Sequence, residues 1–321
     1  MRIVAFTRCY PDILCLHMNK ILSKIFNKLS KDNFIDEVAT QLKGTEFNSL
    51  LLEIFRKRSE TITPAQLLKE YGQNRFVQPA KTDTIKSREI ELEWLKYAAS
   101  YGFSALTLSP VAPFASCAAV GTVNQNKVLS SLKGTEVVSD ATNLLALKIA
   151  LDFKNEPGKD KITRYCTVHR HLRTQYFDNP NFSAHFSLFG MVTGGFDKGS
   201  YLFEIKHLHE HISVILALLK RSFELNDMYL KFYLRSENEQ FSSLLKQTDH
   251  VWNTMQYEFI TDLENKYYQT VQFKIFARIN NEEINIADGG LVDWTQKLIG
   301  NKKHRLLISG VGLELMQRLM K

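Results

Sequence analysis

The segment RYCTVHRHLRTQYFDNPNFSAHFSLFG, residues 164–190, decides the fold prediction. Two apolar and basic runs flank a polar turn, residues 178–181, which is the pattern of two strands joined by a loop. The first run carries four basic or imidazole side chains within a span of five residues, namely His169, Arg170, His171 and Arg173. A strand–loop–strand unit of this kind is either an anion-handling site or a hairpin with an ordinary solvated face.

The composition of the chain indicates a globular protein. Of its 321 residues, 44% are apolar and 23% are charged, which suffices for a substantial core. The formal charge of +7 is spread along the chain, so it favours anionic partners only weakly. The four cysteines show no metal-type spacing, and no apolar run reaches the length of a membrane span. We therefore expect a cytoplasmic protein with no membrane partner.

The first 78 residues are predicted to form a helical N-terminal extension, and residues 79–321 a core domain. In TPAQLLKEYG, Thr63 is suited to cap a helix and Pro64 to occupy its first position. Residues 1–80 carry twelve Lys or Arg against eight Asp or Glu. This mild basic excess is compatible with RNA binding, but a helical cap or a partner-docking module with a solvated face is the favoured interpretation.

The start of translation is a separate expectation. An amphipathic helix begins near Lys20, and residues 1–17 do not fit its pattern. We expect translation to start at Met18, which an intact-mass measurement of the native protein tests.

Helices and strands do not alternate strictly in residues 79–321. SREIELEWLKYAASYGF and SDATNLLALKIALDF read as helices, whereas MYLKFYLR and VQFKIFAR alternate apolar and polar residues as strands do. This order predicts an α+β fold, with a mainly antiparallel sheet flanked by helices.

The order of these pieces resembles the catalytic core of class II aminoacyl-tRNA synthetases. It is most similar to the branch of histidyl-tRNA synthetase and the regulatory subunit of ATP phosphoribosyltransferase. A helix, YGF and a strand ending in Ser109-Pro110 resemble motif 1, which forms the dimer interface in that family. Residues 164–190 resemble motif 2. KYYQTVQFKIF resembles the tyrosine-pair segment of the branch, and DGGLVDWTQKLIG with ISGVGLELMQRLM resembles its glycine-rich segment and motif 3.

The resemblance implies a nucleotide site with several cations missing. Arg170 matches the motif 2 arginine that holds the ATP α-phosphate, a role suited to a bidentate guanidinium, but Leu172 stands at the acidic position. In motif 3, Gly310, Gly312 and Glu314 match, and Leu315 replaces the phosphate-binding arginine. The alternatives are that Arg170 is an exposed strand residue and that the last helix only packs on the sheet.

The resemblance also implies an amino-acid pocket. Asp140 and Thr142 match the acid and threonine that hold the substrate's amino group, and Tyr267 and Tyr268 match the tyrosine pair. The arginine before that pair falls at Leu263. Alternatively, Ser139 or Asp140 only caps a helix, and the tyrosines are ordinary core and surface residues.

These residues imply a protein that keeps the synthetase scaffold and has lost adenylation. We expect a non-translating class II paralogue, a homodimer without a cofactor, which binds an amino acid or a related small metabolite. It would act as a regulatory subunit that docks on a protein partner, and binding of nucleic acid is not favoured. The alternative is an ATP- and Mg²⁺-dependent ligase that activates a small carboxylate, with Arg170 and either Arg318 or Arg305 holding the nucleotide. No catalytic residue is assigned.

The run KHLHEHISV contains a competing motif. His207-x-x-Glu210-His211 has the spacing of an inverted zinc protease motif, and the two histidines would share one helix face. No later helix offers a convincing third ligand, and a short motif of this kind is usually coincidental. We therefore expect no metal site.

Overall fold

The computed structural model describes residues 11–176, 182–235, 239–248, 255–261 and 268–320. The described residues fall into two compact units, one of residues 1–69 with 132–134 and one of residues 70–131 with 135–321. The predicted division at residue 78/79 stays a prediction. None of the helices in the described part of the chain combines the length and the apolar character needed to cross a bilayer.

The strands of the described residues are β1 (Ser104–Ala105), β2 (Val111–Pro113), β3 (Thr135–Val137), β4 (Thr163–Leu172), β5 (His185–Phe196), β6 (Met228–Leu234), β7 (Gln256–Ile260), β8 (Val271–Ile279), β9 (Glu282–Val292) and β10 (His304–Val311). Eight of them form one sheet in the order β1-β4-β5-β10-β9-β8-β6-β7, and β2 pairs with β3. Only the β1–β4 and β6–β7 pairs are parallel in this sheet. The prediction of a mainly antiparallel sheet flanked by helices is confirmed.

The helices are α1 (Pro11–Leu29), α2 (Phe34–Gln41), α3 (Gly44–Ser59), α4 (Pro64–Gln73), α5 (Thr84–Ser100), α6 (Ser116–Gly121), α7 (Ala141–Asn155), α8 (Leu202–Phe223), α9 (Glu239–Gln247), α10 (Trp294–Ile299) and α11 (Leu313–Leu319), together with a 3₁₀ turn at Gln125–Lys127. Helices α1 to α3 and most of α4 belong to the first unit, and the predicted helical lead is therefore seen as four helices. Asp83 caps α5 and Asp140 caps α7 through their side chains, because a carboxylate satisfies a free N–H of the first turn.

The core of the second unit lies on both faces of the large sheet. On one face, α5, α8 and α11 contribute Trp94, Leu208 and Met316 to one apolar cluster. On the other face, α7 contributes Leu145 and Ile149 to a second cluster with sheet residues such as Val192, Leu306 and Ile308. We call these the α8 face and the α7 face.

Candidate functional site

Strand alternation places the side chains of the motif 2-like hairpin on two different faces. In the β4–β5 pair, Tyr165 lies opposite Val192 and Arg170 lies opposite Ser187. Directly opposed residues of an antiparallel pair point to the same face, and successive residues point to opposite faces. Tyr165 donates a hydrogen bond of 2.6 Å to Asp152 of α7. Odd-numbered residues of β4 therefore face α7, and Arg170 faces α8.

Two glycines lie side by side on the α7 face below the start of α7. Gly310 of β10 is paired with Gly190 of β5 on one side and with Asp288 of β9 on the other. A Cβ atom at Gly190 would lie 3.6 Å from Cγ2 of Thr142 and 3.7 Å from Cδ2 of Leu188, which are ordinary contact distances. We call the group of Asp140, Thr142, Gly190, Asp288 and Gly310 the α7-face site.

Asp140 and Thr142 are joined at the N-terminus of α7. The Asp140 carboxylate accepts hydrogen bonds from the backbone N–H of Thr142 at 2.9 Å and from its hydroxyl at 2.7 Å. The helix-cap interpretation of Asp140 is therefore correct. Because Asp140 is only half-buried and sits above the glycines, the cap also places a carboxylate at the edge of the α7-face site.

Asp288 is the acidic residue that sequence reasoning did not assign. Tyr268 donates its phenolic proton to one carboxylate oxygen, and Gln272 donates a hydrogen bond of 2.5 Å to the other. Burial raises the pKa of Asp288, and the nearby Asp140 carboxylate adds to that rise, while Tyr268, Gln272 and Lys274 oppose it. A cation between the Asp140 and Asp288 carboxylates would offset the charge that Asp140 adds to the surroundings of Asp288.

The tyrosine pair is described only in part. Tyr267 lies outside the described residues. Tyr268 is buried, and its ring lies so close to Gly290 that a Cβ atom there would be 2.6 Å from its Cδ1. The ring belongs to the apolar cluster under α7, and the hydroxyl holds Asp288. Tyr268 therefore combines a core role with a polar role in the site.

Arg170 and Glu314 lie together, away from Asp140 and Thr142. Nη1 of Arg170 is 2.9 Å from Oε2 of Glu314, on helix α11, and 2.8 Å from Nδ1 of His185. The buried Glu314 also accepts from the backbone N–H of Ser187 at 3.1 Å and pairs with Arg318. Of the predicted ligand-binding residues, the structure thus brings Asp140, Thr142, Tyr268 and Gly310 to the α7 face and places Arg170 and Glu314 on the α8 side.

The start of α11 offers no cation at the motif 3 arginine position. Gly312 precedes the helix, and a Cβ atom there would lie 3.3 Å from Cβ of Leu315. On the α7 face, a Cβ atom at Gly310 would lie 3.2 Å from Cδ2 of Leu188. Leucine side chains therefore line the glycines of this segment.

Arg305 is also engaged on the α8 side. Its Nε lies 2.7 Å from Oε1 of Glu204, on α8, and its Nη2 lies 2.9 Å from Oδ2 of Asp197. All three arginines considered for a nucleotide, Arg170, Arg305 and Arg318, are paired with carboxylates.

Arg173 is the cation that the hairpin places on the α7 side. Its Nε donates a hydrogen bond of 3.1 Å to the carbonyl of Ser139, next to Asp140, and its guanidinium lies 5.3 Å from the ring centre of Phe186. Within the described ranges Arg173 has no carboxylate partner. Sequence reasoning named Arg173 in the cationic cluster but gave it no role, since the motif alignment pointed to Arg170.

The histidines of the zinc-like motif are held inside the structure. His211 bridges the hydroxyls of Thr193 at 2.8 Å and Ser309 at 2.7 Å, and burial lowers its pKa to about 3. His207 is 2.7 Å from the carboxylate of Glu210, which pairs with Arg164 at 3.1 Å. No group of three metal-ligating side chains occurs among the described residues. The spacing of this motif is therefore explained by the packing of α8 on the sheet.

The fold is that of the class II synthetases. Among solved structures, the chain is similar to an ATP phosphoribosyltransferase regulatory subunit/histidyl-tRNA synthetase from Bacillus halodurans C, with a TM-score of 0.60 and 12% identity over 77% of this chain and 82% of that one. It is also similar to histidyl-tRNA synthetases from S. aureus (TM-score 0.58, 10% identity, 77% and 73% covered) and from Nostoc sp. PCC 7120 (0.56, 11%, 77% and 74%). No family model and no curated protein matches the chain. At these identities the likeness shows the fold, which confirms the predicted resemblance.

Proposed function

We propose that this chain is a non-translating class II synthetase-like protein that does not form adenylates. It binds an amino acid or a related small metabolite at the α7-face site and acts as a regulatory subunit that docks on a protein partner in the cytoplasm. The observation that carries the proposal is the Arg170–Glu314 pair, since it holds the motif 2-like arginine on the face opposite Asp140. Loss of a phosphate-binding arginine typically lowers rates of phosphoryl chemistry on the order of 10³-fold.

The α7-face site suits the ammonium group of such a ligand. Asp140 and Asp288 supply carboxylates, and the Thr142 hydroxyl lies beside them. Charge-assisted hydrogen bonds from an ammonium to these groups are strong in a partly buried setting. Lys274 lies near Asp288 on the same face and can pair with the ligand's carboxylate.

Calorimetry with the twenty standard amino acids and with ATP tests the proposal. We expect one amino acid or close analogue to bind and Asp288→Asn to weaken that binding about tenfold, because the variant removes a charge worth about 1.4 kcal/mol or more to the ammonium. The exposed Asp227→Asn is the matched control and should bind as the parent does. ATP binding accompanied by pyrophosphate exchange would refute the loss of adenylation.

The regulatory part of the proposal is supported by likeness alone. The Bacillus halodurans protein carries the name ATP phosphoribosyltransferase regulatory subunit/histidyl-tRNA synthetase, and the two folds agree over most of both chains. We expect a homodimer that takes part in a larger complex. Sedimentation of the purified chain at several concentrations tests the dimer, and a monomer at all concentrations would contradict it.

The ligase is retained as a second candidate because of Arg173. This guanidinium lies on the α7 side beside Ser139 and Asp140, where it can meet an anionic ligand. Pyrophosphate exchange over a broad panel of small carboxylic acids, with Mg²⁺ and ATP, tests the ligase. Exchange that Arg173→Ala abolishes would favour it, and silence across the panel would leave the regulatory function.

A further inference from the structure

The residues that follow α4 contact both strands of the motif 2-like hairpin near its loop. We call residues 74–78 the 74–78 segment; it belongs to the same compact unit as the large sheet. Arg75 donates a hydrogen bond to the carbonyl of Thr174, directly after the end of β4. The carbonyl of Gln78 accepts a hydrogen bond of 2.6 Å from Nε2 of His185, the first residue of β5. One short segment therefore holds the loop end of the hairpin on both strands.

The guanidinium of Arg75 has a defined position. Its Nη1 lies 3.4 Å from the carbonyl oxygen of Gln175, so the group spans two successive carbonyls of the hairpin. Its central carbon lies 4.4 Å from the ring centre of Phe76 and 5.7 Å from that of Tyr176. A guanidinium suits this arrangement because its planar fork presents several N–H donors in fixed directions.

The same hairpin holds the residues on both sides of Asp140. The carbonyl of Ser139 accepts a hydrogen bond of 3.1 Å from Nε of Arg173. The backbone N–H of Ala141 donates to Nε2 of His171 at 3.0 Å, and burial lowers the pKa of this histidine well below its usual range, which keeps Nε2 free to accept. The position of the Asp140 carboxylate therefore depends on where the end of β4 lies.

Thr174 joins these two sets of contacts. It follows Arg173 directly, and a planar peptide bond links the two residues. Its backbone N–H donates to the carbonyl of Lys127 at 3.2 Å and its hydroxyl to the carbonyl of Asn126 at 2.8 Å, which leaves its carbonyl to Arg75. A continuous path of hydrogen bonds thus leads from the 74–78 segment to the residues that flank Asp140.

From these contacts we propose that the 74–78 segment regulates the α7-face site, by setting the end of β4 and, through Arg173 and His171, the position of Asp140. Arg75 is a positioning residue, since it acts on Asp140 only through the hairpin. This inference rests on the function proposed above, because it assigns a regulatory element to the same ligand site. Displacement of the segment lowers ligand affinity, and ligand binding favours the seated segment by the same factor.

Hydrogen exchange of the full chain tests this coupling without a ligand. We expect Arg75→Ala to speed exchange of the Ala141 and Thr142 amides at least tenfold more than exchange in β8 and β9, because the start of α7 opens locally. Arg75→Lys keeps the charge and one donor at a time, so it should restore part of the protection. The exposed Lys81→Ala, just beyond the segment, is the matched control and should exchange as the parent does.

Either of two exchange results would overturn the coupling. Equal acceleration at the start of α7 and in β8 and β9 would show that Arg75 contributes only to general stability. Unchanged exchange at Ala141 and Thr142 would show that the hairpin does not transmit the loss of Arg75.

Titration calorimetry with the twenty standard amino acids as probes measures the effect on the site itself. We expect the probe that binds to be weakened about fivefold by Arg75→Ala, less by Arg75→Lys and not at all by Lys81→Ala. Equal affinity for the parent and Arg75→Ala would refute regulation by the segment and leave the proposed function standing. If no amino acid binds the parent, the proposed function fails, and the exchange rates alone decide whether the segment positions Asp140.

Discussion

Glu314 is the residue on which the α8-side ion pairs converge. Its carboxylate is 2% exposed and meets Arg318, which is 12% exposed, and Arg170, which is 43% exposed. Removing the acid leaves a buried guanidinium without a counter-charge, whereas removing Arg170 leaves Glu314 paired with Arg318. The two substitutions should therefore differ in cost.

We expect Glu314→Ala to lower the free energy of unfolding by about 3 kcal/mol, the range seen when one partner of a buried pair is removed. Arg170→Ala should cost about 1 kcal/mol or less, since its half-exposed pair is screened by solvent. Urea unfolding at pH 7 measures both. An equal loss in the free energy of unfolding for the two variants would contradict the different roles assigned to Glu314 and Arg170.

His211 gives the stability a defined dependence on pH. The ring is buried between two hydroxyls and next to the Phe103 ring, and its titratable neighbours are His207, Glu210 and Arg164. Its folded pKa of about 3 lies below the ordinary 6.5, so the neutral form is favoured by folding. The stabilisation is complete above pH 6.5 and is lost as the pH falls towards 3.

Each pH unit below about 6.5 should therefore cost up to about 1.4 kcal/mol from this one group. His211→Gln should flatten the dependence between pH 6.5 and 4, although it is less stable at pH 7. Urea midpoints across that range measure the slope. A variant slope equal to that of the parent would show that His211 does not titrate as described.

Residue types could be predicted from the sequence at this scale, but their faces could not. The hairpin was recognised and its cations were named, yet the alternation of a strand does not say which set points to the site, and a shift of one residue reverses every side chain. For this reason Arg170, which the motif comparison placed in the site, lies on the α8 face, and Arg173 lies on the α7 side. The Glu314 contact joins residues far apart in sequence and leaves no local signal.

The packing of α7 on β5 depends on where the strand has glycine. A Cβ atom at Gly194 would lie 2.5 Å from Cγ2 of Ile149 and 3.2 Å from Cε2 of Phe153. At Gly190, four residues earlier on the same face, the nearest atom would be at 3.6 Å, which is ordinary contact. The two glycines form a matched pair for substitution.

Gly194→Ala should destabilise the protein by about 1–3 kcal/mol, since it overpacks the α7 interface. Gly190→Ala should leave thermal stability nearly unchanged and weaken any ligand of the α7-face site, because its methyl group enters that site. Calorimetry and thermal unfolding of the two variants measure these effects. A reversed order of stability would contradict the packing described.

Helices and strands whose apolar residues recur with a regular period could be predicted from the sequence. Those whose apolar and polar residues follow a mixed pattern could not. Helix α5 and strands β6 and β8 lie close to the segments expected from their periodicity. Strand β9 runs through Asp288, Gly289 and Gly290, a segment that the sequence singled out only for its glycines. Glycine has no side chain, so this part of the strand shows no alternation of apolar and polar residues. The strand was therefore not recognised from the sequence, and Asp288 was not assigned to the site.

At the scale of the whole chain, stability should reside in residues 70–321. Every buried side chain among the described residues lies at position 90 or later. A chain starting at residue 70 should therefore unfold within about 4 °C of the full chain, a shift that about 1 kcal/mol produces in a domain of this size. Differential scanning calorimetry measures it, and a much larger drop would show that the first unit contributes to the core.

The class of fold could be predicted because several weak motifs occur in the right order along the chain. Their order reflects the path of the sheet, in which β4, β5, β9 and β10 are neighbours although they are far apart in sequence. Sequence order constrains such a path even where identity to similar structures is 10–12%. The identity of a ligand would leave no comparable trace, since binding would depend on a few side chains.

The alternation of side chains between the two faces of β4 also limits how this chain could evolve towards nucleotide chemistry. Within the cationic cluster, residues 169–173, positions 169, 171 and 173 face α7, and two of them hold histidines engaged with the carbonyl of Ser109 and the N–H of Ala141. A substitution of Glu314 that frees Arg170 leaves the guanidinium on the α8 face, and it leaves Arg318 without its buried counter-charge. Single substitutions therefore cannot bring a cation at position 170 to the α7 face, and Arg173 is the cation of this cluster that already lies there.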